Sequence, residues 1–176
     1  MDELRIELHR CIVRSWEEGD ASDLATHANS REIWLNLRDE FPHPYRRDDA
    51  VSFLGFCREQ DPETFFAIEV DGQAAGGIGF RVGMDVERTS AEVGYWLGEK
   101  FWNRGVVTEA LVAVREYAIE THSLTRVYAV PFEWNQASFR VLEKAGFVME
   151  GRLRRSAVKD GKVVDQLMYA YVVPTE

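Results

Sequence analysis

The segment that most constrains the fold is a short apolar strand that leads, within a few residues, into a long helix. The strand lies in SAEVGYWLGEKFW and ends near Gly98, with alternate residues on opposite faces. The helix begins near Gly105 and extends to about Glu120. Apolar residues recur within it at helical spacing, namely Val107, Leu111, Val114 and Ala118. A sheet and helices must therefore pack together in this chain.

Helices and strands alternate along the rest of the chain. RCIVRSW alternates as a first strand and is followed by a helix capped near Asp20, a short helical piece in SREIWLNLR and an amphipathic helix after FPHP. Two hairpins are predicted, with turns at Asp71-Gly72 and about Asp160-Gly161, a dipeptide that tight primed turns favour. A strand in TRVYAVPF and a helix closed by Gly146 lie between them. The order predicts an α+β fold, an α/β sandwich in which helices cover both faces of a mixed sheet.

Length and composition predict one soluble domain. The chain has 176 residues, a common size for a compact domain, and no linker rich in proline, glycine or serine divides it, so a single domain is expected over residues 1–176. The apolar stretches are too short to span a bilayer, and MDELRIELHR lacks the apolar region of a signal peptide. These features predict a cytoplasmic protein without a membrane partner. The net charge of −9 argues against direct binding of nucleic acid and favours cationic partners.

Neither the cysteines nor the histidines are spaced as metal ligands. Cys11 and Cys57 lie far apart in the sequence, and both are interpreted as small buried hydrophobic residues. The four histidines form no pair at helical spacing: His9, His27, His43 and His122. The sequence therefore predicts that the protein has no metal site.

The turn before the long helix is predicted to bind an anion. The first N–H groups of a helix have no intrahelical acceptors, and the helix dipole favours negative charge there. Gly105 leaves room for a phosphate to approach the backbone, and Arg104 adds a positive charge nearby. This arrangement suits a pyrophosphate, while the spacing alone fits an ordinary helix start equally well. Neither G-x-G-x-x-G after the first strand nor G-x-x-x-x-G-K-[ST] is present, which argues against Rossmann and P-loop folds.

Three segments together resemble one protein family. They are AEVGYWLGEKFWNRGVVTEAL, VYAVPFEWNQASFRVLEKAGFVMEGRLR and DGKVVDQLMYAYV. The sequence resembles the GNAT superfamily of acetyl-CoA-dependent N-acetyltransferases, and within it the RimJ/RimL branch, which acetylates the N-termini of ribosomal proteins. The resemblance covers nearly the whole chain and implies a central, mostly antiparallel sheet with helices on both faces. It also implies acetyl-CoA as the co-substrate.

The resemblance implies which residues hold acetyl-CoA. The backbone N–H groups that would hold its pyrophosphate belong to Asn103, Arg104, Gly105, Val106, Val107 and Thr108. The strand edge at Tyr95, Trp96 and Leu97 would pair with the pantetheine amides, as a peptide pairs with the edge of a sheet. Asn135 and, one helical turn further, Ser138 would contact the pantetheine arm, and Asn135 also suits the cap of its helix. Val107 stands where the family usually has a small residue and could crowd the phosphate.

Glu92 is predicted to be the general base, because it lies on the same strand and the branch often has a glutamate at the matching position. A solvated or salt-bridged strand carboxylate is the alternative interpretation of Glu92. The oxyanion would be stabilised by a backbone N–H of Trp96 or Leu97. Many family members use a tyrosine as the acid, whereas this chain has Leu142 in that region. Ser138 is the remaining hydroxyl, either as a proton donor or as a contact for the coenzyme.

The acceptor is expected to be an amine. Trp34, Phe41 and Tyr45 lie in the variable segment that overhangs the acceptor groove in the family, where aromatic rings would hold a peptide or a cation; the alternative is that Trp34 belongs to the core. The resemblance to the RimJ/RimL branch implies a protein N-terminal α-amine as the leading acceptor. Such an amine, with a pKa of about 7.7–8.0, needs less help from a base than lysine, whose pKa is about 10.4. A small amine such as an antibiotic, polyamine or amino acid is the alternative acceptor. A non-catalytic acyl-CoA-binding module is the alternative function, and the protein is expected to be a monomer or a homodimer.

Overall fold

A computed structural model describes residues 3–175 of the chain. The strands within these residues are β1 (Arg5–Glu7), β2 (Ile12–Arg14), β3 (Phe65–Val70), β4 (Gln73–Val82), β5 (Ser90–Leu97), β6 (Arg126–Ala129), β7 (Val148–Lys159) and β8 (Lys162–Val172). The α-helices are α1 (Ala21–His27), α2 (Arg31–Trp34), α3 (Arg47–Arg58), α4 (Val106–His122) and α5 (Gln136–Lys144). Short 3-10 turns occupy Glu18–Asp20, Asp85–Glu87 and Glu99–Phe101.

The strands form one mixed sheet in the order β1-β2-β3-β4-β5-β6-β8-β7. Antiparallel pairing joins β1 to β2, β2 to β3, β3 to β4, β6 to β8 and β8 to β7. β5 also runs antiparallel to β4, since Gly83 N–H donates to the Ser90 carbonyl and Gly98 N–H donates to the Ala75 carbonyl, both at 2.8 Å. β5 and β6 are parallel. The mixed, mostly antiparallel sheet predicted from the sequence is confirmed.

The chain folds into two compact units. The first contains the chain up to Gly79 together with Tyr95–Ala110, and the second contains Phe80–Gly94 together with the chain from Leu111 onward. β4, β5 and α4 each contribute residues to both units. A single domain over the whole chain stays a prediction.

The core of the first unit includes a cluster built from α1, α3 and the segment between them. Its buried members are Ala21, Leu24, Ala28, Tyr45, Ala50 and Leu54. Four half-buried aromatic side chains pack against this cluster, namely Trp16, Phe41, Phe53 and Trp96. The ring of Trp96 therefore connects the last part of β5 to the helical layer of this unit.

A buried arginine organises the start of α1. Asp20 occupies the position before this helix, as predicted, but its carboxylate does not cap the helix. It accepts hydrogen bonds from Nη1 and Nη2 of Arg14, both at 2.8 Å, and from the backbone N–H of Glu17 at 2.9 Å. Arg14 also donates from Nε to Glu69 at 2.6 Å. The hydrogen bonds to Asp20 and Glu69 raise the pKa of Arg14 and compensate for the burial of its charge.

Both predicted hairpin turns have the backbone that the Asp-Gly sequence favours. The φ angles are 52° and 73° at Asp71-Gly72, and 50° and 73° at Asp160-Gly161. Two successive positive φ values are typical of a type I′ turn, which matches the twist of the flanking strands. Gly146 follows Ala145, the C-cap residue of α5, and has φ 83°. It therefore ends that helix, as predicted.

The second unit contains a buried arginine of its own. Arg115 on α4 is 8% exposed and donates from Nη1 to the carbonyl of Ala145 at the end of α5. Its guanidinium lies 4.0 Å from the ring centroid of Tyr171 on β8. A cation near the last carbonyls of a helix is favourable because the helix dipole is negative there. Arg115 therefore fixes α4, α5 and β8 relative to one another.

None of the helices within residues 3–175 combines the length and the apolar character needed to cross a membrane.

Candidate active site

The connection between β5 and α4 is a short ordered turn that exposes its backbone. After Leu97 the chain makes the 3-10 turn Glu99–Phe101, and the indole Nε1 of Trp102 donates back to the Leu97 carbonyl at 2.6 Å. Asn103 has φ 59° and Gly105 has φ 75°. Helix α4 begins at Val106, directly after Gly105, and runs for 17 residues. The turn predicted to bind an anion therefore leads into the N-terminus of a long helix.

Solvent reaches this turn from Trp102 to Gly105, all of which are exposed. Val106 is buried, and Val107 and Thr108 are half-buried. The side chain of Val107, which stands where a small residue is usual, is thus partly covered by the protein. The N-terminus of a helix next to an exposed glycine turn fits the diphosphate of a nucleotide coenzyme, because unpaired N–H groups and the helix dipole both favour an anion.

The Arg104 side chain contacts two neighbouring residues. Its Nη1 and Nη2 lie 3.3 and 3.2 Å from Oδ2 of Asp71, and its guanidinium lies 5.7 Å from the ring centroid of Phe101. The Arg104 side chain stays 46% exposed. Arg104 is therefore paired with a carboxylate, whereas the sequence predicted that its positive charge would serve the turn.

β5 continues beyond its pairing with β6. The parallel register joins Ser90, Ala91 and Glu92 to Arg126, Val127 and Tyr128, and the pairs described within residues 3–175 end there. The strand itself runs on to Leu97, and the following Gly98 is hydrogen-bonded to Ala75 of β4. Tyr95 and Trp96 are half-buried and Leu97 is buried. A strand that outlasts its pairing on one edge is what the proposed pairing with pantetheine amides requires.

Glu92 lies at the last of these pairs, opposite Tyr128. It is half-buried and sits between the buried residues Ala91 and Val93 along the strand. Its side chain is on the same strand as Tyr95 and Trp96, as the sequence predicted. Its role as a general base stays a prediction.

Asn135 caps α5, as the sequence allowed. Its Oδ1 accepts a hydrogen bond from the backbone N–H of Ser138 at 3.1 Å. The cap uses the carbonyl of this amide, and the NH2 group has no acceptor among residues 3–175. Asn135 can therefore cap the helix and still offer two donors to a ligand. Ser138 is half-buried, and Leu142, in the region where many family members have tyrosine, is fully buried.

The three aromatic residues predicted to bind the acceptor have different surroundings. Trp34 is half-buried and stacks on His43, with ring centroids 5.8 Å apart. Phe41 lies 5.0 Å from Tyr45 and 5.6 Å from Trp96, measured between ring centroids. Tyr45 is 5% exposed, and burial raises its pKa. Phe41 thus connects Tyr45 to Trp96 of β5.

The cysteines are buried, as predicted. Burial, and secondarily the charge of Glu109, raises the pKa of Cys11 to about 11, and burial with the charge of Glu63 raises the pKa of Cys57 to about 12. Thiols with such pKa values are protonated and poorly nucleophilic near neutral pH. Within residues 3–175, no group of three or more His, Cys, Asp and Glu side chains is placed to hold a metal ion.

Sequence reasoning missed one charged residue that contacts the turn. Arg10, between β1 and β2, packs against Gly105 and forms an ion pair with Glu109 of α4. Arg10 and Glu109 are 99 positions apart in the sequence, so no local pattern could have linked them.

Comparison with known proteins agrees with this geometry. Residues 10–148 match the family of the acetyltransferase (GNAT) domain, which is most of the chain. The chain belongs to the GNAT family. Its resemblance to that family, stated from the sequence, is confirmed.

Several relatives of this GNAT protein are acetyltransferases. The Bacillus subtilis N-acetyltransferase YoaA is 37% identical over 101 residues, which are 57% of this chain and 56% of YoaA, so the match spans little more than half of that relative. The [ribosomal protein uS5]-alanine N-acetyltransferase of Escherichia coli is 27% identical over 97% of this chain and 92% of its own length. A RimL structure, a ribosomal L7/L12 α-N-protein acetyltransferase in complex with coenzyme A, has the same fold, with a TM-score of 0.84 and 20% identity over 97% of this chain and 98% of RimL.

Proposed function

We propose that this GNAT protein transfers an acetyl group from acetyl-CoA to the α-amine of a protein N-terminus, as one domain over residues 1–176 and in the cytoplasm. The observation that carries the proposal is the exposed glycine turn, with Gly105 at φ 75°, at the N-terminus of α4. It follows a strand, β5, that extends beyond its pairing with β6. The acceptor is taken from relatives such as the uS5-alanine N-acetyltransferase, which spans nearly the whole chain.

Acetyl-CoA would be held mainly by backbone groups. N–H groups from Asn103 to Thr108 would bind the diphosphate, and the edge of β5 from Tyr95 to Leu97 would pair with the pantetheine amides. The NH2 group of Asn135, left over from its cap, and the hydroxyl of Ser138 would contact the same arm. When bound, acetyl-CoA supplies a thioester whose carbonyl carbon an amine can attack.

Glu92 would accept the proton of the incoming amine, directly or through water. A backbone N–H of Trp96 or Leu97 would stabilise the negative charge that develops on the carbonyl oxygen. The buried Leu142 provides no hydroxyl, so the leaving thiolate would take its proton from solvent or from Ser138. One carboxylate suffices for an α-amine because a large share of α-amines is already neutral near pH 8.

The acceptor class is tested with matched peptides. One peptide has a free N-terminus and no lysine, and its partner has a blocked N-terminus and one lysine; a polyamine and an aminoglycoside complete the panel. We expect release of free thiol and gain of one acetyl group, detected by mass spectrometry, with the free N-terminus. Reaction with the polycationic small molecules alone would contradict an N-terminal acceptor. Tight binding of acetyl-CoA without transfer to any amine would instead support a binding module.

A further inference from the structure

Both the backbone N–H and the guanidinium of Arg10 are hydrogen-bonded to one carboxylate. It lies in the turn between β1 and β2, and its backbone N–H donates to Oε2 of Glu109 at 2.8 Å. Its Nη1 donates to Oε1 of the same carboxylate. Glu109 belongs to the first turns of α4 and is 23% exposed, whereas the Arg10 side chain is 47% exposed. One carboxylate thus fixes the main chain and the guanidinium of Arg10 against the start of α4.

The Arg10 side chain passes along the turn at Gly105. A Cβ atom built on Gly105 would lie 3.2 Å from Nε, 3.3 Å from Cδ and 3.7 Å from Cζ of Arg10. Only Nη1 and the backbone N–H of Arg10 have acceptors among residues 3–175, so the N–H groups of Nε and Nη2 are not used by the described protein. Two guanidinium donors are therefore left beside the glycine of the turn.

The charges around this turn single out Arg10. Arg104, the cation predicted for the site, forms an ion pair with Asp71. Glu109 places a negative charge in the first turns of α4, which would repel a bound phosphate, and its ion pair with Arg10 compensates for that charge. A guanidinium also matches a phosphate geometrically, since two of its parallel N–H groups can bind two phosphate oxygens.

We infer that Arg10 is a further contact for the diphosphate of coenzyme A, positioned by Glu109. This inference rests on the proposed function, because it assumes that the coenzyme occupies the turn before α4. Arg10 would add charge-assisted hydrogen bonds to those of the backbone N–H groups. Glu109 contacts no part of the ligand and acts by holding Arg10.

The test compares binding of coenzyme A and dephospho-coenzyme A, which lacks the 3′-phosphate, by isothermal titration calorimetry. We expect Arg10→Met to weaken both ligands by about tenfold to a hundredfold, the loss typical of hydrogen bonds to a charged group. Arg10→Lys keeps the charge without the planar fork, so its affinity should lie between those of Arg10→Met and the unaltered protein. Arg5→Met is the matched control, because it removes an exposed arginine from the same hairpin, one that pairs with Glu7 instead. Its affinities should equal those of the unaltered protein.

A double variant separates contact from charge compensation. If Arg10 only neutralised Glu109, Arg10→Met combined with Glu109→Gln would bind coenzyme A as well as the unaltered protein, and the inference would be wrong. A direct contact predicts that the double variant stays weak. A loss seen with coenzyme A and not with dephospho-coenzyme A would move the contact to the 3′-phosphate and overturn the assignment to the diphosphate.

Folding and the underlying function are controlled separately. Arg10 is half-exposed and its ion pair contributes little to stability, so the ligand-free melting temperature of Arg10→Met should hardly change; Arg10→Gln serves if that variant does not fold. Unchanged affinity in a folded Arg10 variant would overturn this inference alone. Failure of the unaltered protein to bind coenzyme A would contradict the proposed function itself.

Discussion

At the scale of single residues, Gly105 is glycine for two independent reasons. Its φ of 75° is a conformation that side chains disfavour, and a Cβ there would lie 3.2 Å from Nε and 3.3 Å from Cδ of Arg10, which is unusually tight. The second reason is internal to the protein and does not involve a ligand. The sequence suggested only the approach of a phosphate, because the neighbour that packs against Gly105 comes from the distant turn between β1 and β2.

Replacing Gly105 with alanine should therefore reduce both stability and affinity. We expect Gly105→Ala to lower the free energy of unfolding by about 1–2 kcal/mol, the cost of a left-handed conformation for a residue with a Cβ. Arg10 would have to move by only a few tenths of an ångström, so coenzyme A binding should weaken by less than the loss expected of Arg10→Met. Gly55→Ala is the matched control: Gly55 lies inside α3 with no atom within 4 Å of its Cβ position, so this change should stabilise the protein by about 0.5–1 kcal/mol. Urea unfolding measures the stability of both variants, and calorimetry measures the affinity of Gly105→Ala for coenzyme A. Equal changes in stability for the two variants would contradict the argument.

Glu92 gives a second prediction at this scale. Glu92→Gln keeps the shape and hydrogen-bonding reach of the side chain but removes the proton acceptor. We expect the transfer rate near neutral pH to fall by roughly 10²–10⁴, the usual contribution of a general base. Affinity for acetyl-CoA should hardly change, since in the proposed function backbone groups further along the chain would hold it. A higher pH should restore much of the rate, and earlier for an α-amine than for lysine. An intact rate at neutral pH would show that Glu92 is only a strand carboxylate.

At the scale of elements, the structure could be predicted wherever the signal was local. Asp-Gly at 71–72 and 160–161 gave both hairpin turns, and the apolar spacing after Gly105 gave α4. β1 was missed because three residues, Arg5–Glu7, are too few to show a pattern. The irregular register of β7 was also missed, because a bulge depends on the partner strand and leaves no mark in the sequence of its own strand.

A carboxylate of β8 binds the bulge in β7, and this gives a prediction about pH. Between Leu153 and Ala157 the register shifts, and Arg155 has φ 52°. Asp165 on β8 accepts hydrogen bonds from the Arg155 backbone N–H at 2.8 Å and from Nη1 of Arg152 at 2.6 Å, and these lower its pKa. Because the folded-state pKa lies below the unfolded value of about 3.9, the contribution of Asp165 to stability is complete above that pH. It is lost as the pH falls through the folded-state value.

Asp165→Asn should therefore destabilise the protein at pH 7 and have a progressively smaller effect in acid. Asparagine keeps the shape but lacks the charge that Arg152 and the N–H of Arg155 favour. Urea unfolding at pH 7, 4 and about 2.5 measures the difference from the unaltered protein. A difference that is the same at all three values would show that the charge of Asp165 plays no part in holding the bulge.

At the scale of the whole molecule, the net charge of −9 is unfavourable for the anionic coenzyme of the proposed function. The acidic balance attracts a cationic acceptor over a long range. In the proposed function the diphosphate would bind despite it, helped by local positive groups such as the start of α4 and Arg10. The identity of the acceptor could not be predicted from the sequence, because Trp34, Phe41 and Tyr45 are residue types that serve a core as readily as a binding surface.

Binding of the coenzyme should be visible as a global change in stability. With coenzyme A at about 100 times its dissociation constant, the folded state gains about 2.7 kcal/mol. For a chain of 176 residues this corresponds to a rise in melting temperature of about 5–10 °C. Pantetheine, which lacks the phosphates, is the control and should give a much smaller rise at the same concentration. An equal rise with both compounds would show that the diphosphate adds nothing to binding.

The burial of both cysteines has a practical consequence for measuring turnover. Cys11 and Cys57 are 5% and 4% exposed, and their pKa values of about 11 and 12 keep them protonated at assay pH. A colorimetric thiol reagent added to the native protein should therefore react with released coenzyme A and leave the polypeptide unlabelled. Continuous monitoring at high enzyme concentration becomes feasible without a background from the protein, and labelling would report unfolding of the sample.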